Sequence, residues 1–131
     1  MGRSDSKIQT FNSSNLPMPG GHYSQALIHN NLMYISGQLP FNPFTGEKVN
    51  GDIEEQTQQI LDNIDILLRD AGSKKENVLK TTVYISDISL WGRVNEVYAS
   101  YFGKHKPARA MVPVKDLHFG FGIEIEAIAS I

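Results

Sequence analysis

One arginine and two glutamates are the residues of this 131-residue chain best suited to chemistry. Arg109 follows the Lys106-Pro107-Ala108 bend and stands at the head of an apolar run, Met111-Val112-Pro113-Val114. Glu124 and Glu126 interrupt an otherwise aliphatic stretch, Ile123-Glu124-Ile125-Glu126-Ala127-Ile128-Ala129. A charge inside an apolar strand is expensive unless it is paired, hydrogen-bonded or held at a site. A guanidinium is permanently charged, and its planar fork grips a carboxylate through two parallel hydrogen bonds. Arg109 is therefore a candidate carboxylate anchor, or else an edge-strand arginine lying over the sheet to a structural partner. Strand side chains alternate with period two, so Glu124 and Glu126 share one face. Either is a candidate general acid–base or water-orienting group, against the plainer reading of a solvated strand face.

Two further stretches are suggestive. Ser36-Gly37-Gln38 ends a strand pattern, where it either presents a hydroxyl and backbone groups to a ligand or simply turns. Tyr23 stands beside Gly20-Gly21 as an aromatic lid or as part of the core edge. Other chemistries find no support. His22, His29, His105 and His118 show no HxxH or HExxH spacing, so no metal site is expected. Gly20-Gly21 and Gly120-Phe121-Gly122 make neither a dinucleotide fingerprint nor a Walker loop, and no GxSxG elbow is present. No cofactor is expected.

Composition narrows the class. The chain is 40% hydrophobic and 20% charged, an ordinary globular balance, and its length fits one domain. With a net charge of −2 it has no global basic field, so nucleic acid is not an expected partner. No run approaches the ~18 apolar residues of a membrane span. Cysteine is absent, which excludes disulfides and a thiol nucleophile and fits a reducing, cytoplasmic setting. Met1-Gly2 with Ser6 matches the myristoylation pattern and Asn12-Ser13-Ser14 the glycosylation sequon, both short enough to arise by chance.

The elements that must position the candidates follow from periodicity. Residues 1–17 read as a flexible lead-in, and residues 18–131 as a single domain. Ser24 to His29 and Leu32 to Ser36 form a hairpin about Asn30-Asn31, which tolerate positive φ. A helix starts at the Asp52 cap, with Glu55 completing a capping box, and ends before Gly72. Residues 78–85 read as a strand, Ser89–Phe102 as a second helix, and Ala110–Val114 and Gly122–Ser130 as strands. The order β-β-α-β-α-β-β predicts an α+β domain with two helices on one face of a mixed sheet. The stretch Leu32-Met33-Tyr34-Ile35 is apolar on both faces, and no third helix exists to cover the second. An oligomer is the expected cover.

Several motifs together resemble one family. They are Gly21-His22-Tyr23-Ser24-Gln25-Ala26, Ile35-Ser36-Gly37-Gln38-Leu39-Pro40-Phe41-Asn42-Pro43, Thr45-Gly46-Glu47, Lys80-Thr81-Thr82-Val83-Tyr84-Ile85, Val94-Asn95, Pro107-Ala108-Arg109 and Ile123–Ala129. In order and spacing, over roughly residues 18–130, the chain resembles the RidA (YjgF-like) family of reactive intermediate deaminases. The resemblance implies a chorismate-mutase-like fold assembled as a homotrimer with clefts at the subunit interfaces. It implies cofactor-independent hydrolysis of enamines and imines, such as 2-aminoacrylate and 2-iminobutanoate, to 2-keto acids and ammonia, which protects pyridoxal-phosphate enzymes. By the same resemblance Arg109 grips the substrate carboxylate and Glu124 orients the attacking water. Tyr23, Ser36, Gly37 and Asn95 line the cleft.

Two departures stand out. Met111 occupies a position where many deaminase members have cysteine, and Lys115–Gly122 departs from the common leucine-proline pattern. The competing readings are an RNA-directed role, since relatives have been labelled endoribonucleases or translation inhibitors, and a non-catalytic trimer that binds 2-keto acids.

Overall fold

The computed structural model describes residues 7–131. Met1, Gly2 and Ser6 of the myristoylation pattern lie outside the described residues. Six strands form one sheet: β1 (Gln9–Phe11), β2 (Ala26–His29), β3 (Leu32–Gln38), β4 (Val78–Ile85), β5 (Ala108–Pro113) and β6 (Ile123–Ser130). The helices are α1 (Ile53–Asp70) and α2 (Trp91–Phe102), and both pack on the same face. Strand order is β1-β2-β3-β6-β4-β5, antiparallel except for the parallel pair β4–β5, whose crossover is α2.

Local chemistry explains why these segments fold as they do. Asn30 and Asn31 adopt φ of 52° and 65°, the left-handed pair that a two-residue hairpin requires. The α1 capping box closes from both sides: the Glu55 N–H donates to Asp52 Oδ1 at 2.9 Å and the Asp52 N–H donates to Glu55 Oε1 at 3.2 Å. Gly72, at φ 80°, ends the helix without a Cβ penalty. Beneath the helices lies a continuous core that includes Met33, Ile60, Ile64, Leu67, Val83, Ile123 and Ile125.

The structure corrects the sequence reading at its edges. Residues 9–11, taken as flexible lead-in, form β1 along the edge of β2, with Thr10 opposite Leu27. The following segment is tied down by the buried Gln25 side chain. Its Oε1 accepts the Ser13 N–H at 2.6 Å, and its Nε2 donates to the Ser13 and Pro17 carbonyls at 3.2 and 3.1 Å. Asp70 holds the same segment through Ser13 Oγ and Asn15 Nδ2. Asn12 of the sequon is engaged as well, its Oδ1 accepting the Gln25 N–H. Strand ends also move. β2 starts at Ala26, β3 runs on to Gln38, and β5 starts at Ala108, so Arg109 lies within the strand rather than ahead of it. The second helix begins at Trp91, after a single 3₁₀ turn over Ile88–Leu90 whose start is capped by Asp87.

The face away from the helices is uncovered. Leu27 pairs with Tyr34, Tyr34 with Ile128, and Ile128 with Lys80, so these four form a row across it. Leu27, Tyr34 and Val112 are exposed there, and a depression runs along Tyr34, Lys80, Thr82, Glu126 and Ile128, with none of the described residues covering these three side chains.

Candidate functional site

Strand parity and register decide where each candidate points. Thr81, Val83 and Ile85 of β4 are buried toward the helices, and their partners on β5 are Arg109, Met111 and Pro113. Arg109 and Met111 therefore lie on the helix-covered face. Glu124 pairs with Tyr84 and Glu126 with Thr82, both on the open face. The shared face of the two glutamates is as alternation requires. Arg109 and Glu124, however, stand on opposite sides of one sheet.

The first cluster surrounds Arg109. Its Nη1 donates to Asn95 Oδ1 at 2.8 Å, and its guanidinium carbon lies 4.8 Å from the Tyr98 ring centre and 5.4 Å from that of Trp91. The three partners lie on α2 at Trp91, Asn95 and Tyr98, spaced four and three residues apart, and therefore share one helical face. Tyr98 is itself fixed by a 2.7 Å hydrogen bond between its hydroxyl and Thr81 Oγ1. The rings and the amide orient the guanidinium without neutralising it. Among the described residues no carboxylate forms an ion pair with Arg109. Most of its donors remain free for an anionic ligand. Met111 lies beside it and packs against the core from the edge strand.

The second cluster surrounds Glu124. It lines a cleft of about 790 Å³ with Tyr23, Ser36, Gly37, Phe119 and the 16–21 segment. Three buried or half-buried side chains hold the walls. Asn63 Nδ2 donates to the Phe41 carbonyl at 2.8 Å and steadies the loop after β3. Gln56 Oε1 accepts the Gly122 N–H at 2.8 Å and fixes the start of β6. Gln25 holds the 12–17 segment as described above. Tyr23 is exposed at the mouth of the cleft, outside the core.

Ser36 and Gly37 form an irregularity in the β3–β6 ladder, where the register shifts between Ile35 and Gln38. Such a bulge re-aims side chains at the end of a strand. The Ser36 hydroxyl donates to the Ser24 carbonyl at 2.6 Å. At Gly37 the backbone runs directly under the Glu124 carboxylate: a Cβ there would lie 2.0 Å from Glu124 Oε2 and 3.0 Å from its Cδ. Burial pushes the Glu124 carboxyl above the usual carboxylate range, the nearby His118 opposes that shift, and Glu126 adds to it. A carboxyl raised in this way passes protons more readily than one at the ordinary carboxylate value.

Gly37→Ala therefore displaces the Glu124 carboxylate rather than the fold, because the atom in the way is the free end of a flexible side chain. A misplacement of about 1 Å costs a catalytic group roughly 10²-fold in rate. The expected result is that loss of activity with a melting temperature close to that of the parent. Unchanged activity would show that the Glu124 position is not critical.

Of the eight residues singled out in the sequence, Tyr23, Ser36, Gly37, Glu124 and Glu126 line one cleft, Arg109 and Asn95 form the other cluster, and Met111 lies on the same strand and face as Arg109. Gln25, His118 and Phe119 were not foreseen as part of the site. Gln25 belongs to one of the recognised motifs, but no local signal marks its role as a clamp.

Residues 13–131 match the family model described as endoribonuclease L-PSP. The chain belongs to that family. It is 50% identical over 117 residues to a RutC family protein of Pyrococcus horikoshii, covering 89% of this chain and 93% of that protein. It is 42% identical to the 2-iminobutanoate/2-iminopropanoate deaminase of Rattus norvegicus, covering 92% of this chain and 88% of the relative. A solved structure of a Rid protein from Yersinia pestis superposes with a TM-score of 0.91 at 44% identity, over 95% of this chain and all of that one. The RidA-like fold expected from the motifs is thereby established, two helices on one side of a mixed sheet.

Proposed function

We propose that this protein is a cofactor-independent deaminase that hydrolyses 2-imino acids to 2-keto acids and ammonia. The observation that carries the reading is the Glu124 carboxylate, seated on the Gly37 backbone in an open cleft and raised in pKa by burial. The relatives named as imine deaminases support the reaction class.

The chemistry asks little of the protein, because an imine is already electrophilic. An enamine substrate is first protonated at C3 by a solvent proton to give the iminium ion. Glu124, ionised, takes a proton from a water whose oxygen forms a bond to C2, giving a carbinolamine. The carboxyl then returns the proton to the amino group, the C–N bond breaks, and the hydroxyl loses its proton as the keto acid and ammonia form. Arg109 binds the substrate carboxylate in two parallel hydrogen bonds and so fixes C2 relative to the water.

Arg109 and Glu124 point to opposite faces, so no single protomer brings them to one substrate. We infer a site shared between subunits, with Tyr23, Ser36, Gly37 and Glu124 from one copy and Asn95, Arg109 and Met111 from the next. A homotrimer whose open sheet faces pack together would bury the Leu27–Tyr34–Ile128 row.

The test couples threonine dehydratase to threonine and follows decay of the released imine. The wild-type protein accelerates that decay. No acceleration at micromolar enzyme, with a working control, would sink the reading, and tight 2-ketobutyrate binding without turnover would replace it with a binding role. An RNA-directed role fits the site poorly, since Glu124 and Glu126 line the same cleft and repel a phosphate backbone. Mixing separately inactive Arg109→Ala and Glu124→Gln subunits tests the shared site. Random reassembly restores about a quarter of the sites if each is built from two neighbours. If each protomer carries a whole site, the mixture stays inactive.

A further inference from the structure

In one protomer, before Asn95, Arg109 and Met111 of the next copy complete it, the cleft that holds Glu124 is larger than a three- or four-carbon imino acid needs. At about 790 Å³ it lies toward the upper end of the roughly 300–1,000 Å³ that houses drug-sized ligands. The apolar part of its lining is formed by Leu16, Met18, Tyr23, Leu39, Phe41 and Phe119, beside the polar Gln38, His118 and Glu126. Phe119 is the least expected of these. It is 58% exposed, yet its ring is held in place. Phe41 and Phe121 meet it edge-on at 5.7 and 5.9 Å, and the Lys48 ammonium lies 4.5 Å from its centre. Its backbone adopts φ 61°, a left-handed conformation that bulky residues rarely take, and Gly120 follows at φ 74°. An aromatic ring kept exposed on a left-handed turn, lining the same cleft as the Glu124 carboxylate, offers a contact to a ligand.

We propose that Phe119, with Phe41 and Tyr23, forms a side-chain subsite that selects 2-imino acids bearing aromatic or long apolar side chains. The inference rests on the deaminase reading given above. The open edge of Phe119 offers an edge-to-face contact to a substrate ring, and Tyr23 at the mouth closes the apolar wall from the other side.

The test supplies imines directly, from alanine and from phenylalanine, with an amino-acid oxidase, and reads their hydrolysis as lost trapping by semicarbazide. The wild-type protein is expected to favour the phenylalanine-derived imine in kcat/KM. In Phe119→Gly the ratio between the two substrates falls by roughly ten-fold, the scale set by losing one apolar contact in a pocket. Glycine also relieves the left-handed backbone, so the variant melts no lower than the parent. A ring serving only to pack would show the reverse, a lower melting temperature with the ratio unchanged, and that overturns the proposal. Acceleration of the alanine-derived imine without acceleration of the phenylalanine-derived one overturns the subsite but leaves the deaminase standing. Acceleration of neither overturns both.

Discussion

Arg109→Ala lowers kcat/KM for imine hydrolysis by roughly 10²- to 10⁴-fold, the equivalent of two charge-assisted hydrogen bonds at about 1.5–3 kcal/mol each. The structure explains why the loss falls on function more than on folding. Arg109 donates to a neutral amide and lies over two rings, and among the described residues it has no carboxylate to strand when removed. The loss should appear in substrate binding and in turnover together, because an unanchored C2 is also misplaced relative to its water. Arg109→Lys restores the charge without the fork, and the ammonium cannot span Asn95 and a bidentate ligand at once. It is expected to recover only part of the activity. Steady-state kinetics on both variants decide the matter: a lysine variant as active as wild type would rule out the bidentate grip.

Glu124→Gln removes the proton carrier and lowers kcat by roughly 10²- to 10⁴-fold. It also has a stability signature. Burial favours the neutral form of Glu124 in the fold, so its pKa is raised above the unfolded value of about 4.3. A group shifted in this direction contributes fully below the unfolded value, and its contribution is lost as pH rises through the folded one. Ionised Glu124 therefore weakens the fold at neutral pH, and glutamine relieves that cost. The comparison is cleanest in an Arg109→Ala background, where no guanidinium from a neighbour can offset the charge. There Glu124→Gln should melt higher than its parent at neutral pH, with the gap closing toward about pH 4. A gap that does not depend on pH would show that the carboxyl is not destabilised by burial. The group proposed to carry the chemistry is thus one whose charge weakens the fold.

How far the sequence reached is clear from particular residues. The Asp52–Glu55 box, the Asn30-Asn31 turn and the Gly72 helix end are written in contiguous residues, because caps and turns close over three or four positions. The alternation of Ile123 to Ala129 placed Glu124 and Glu126 on one face for the same reason: strand parity is local. The order of the segment after β1 has no local signal, because it comes from Gln25 and Asp70, polar residues that look like surface until their partners are known. The family motifs supplied the candidate site as a set, but not its division in two.

That division is what the tertiary structure decided. Which face Arg109 takes depends on its pairing with Thr81, and which face Glu124 takes depends on its pairing with Tyr84. Period two fixes parity within a strand but says nothing of register between strands, which is set by ladders formed across the whole chain. Gly37 likewise became meaningful only when the β3 irregularity carried its backbone under a carboxylate from β6. The sequence by itself determined which groups this protein has for binding an anion and moving a proton. Only the packed sheet decided that one protomer holds them apart, on opposite faces.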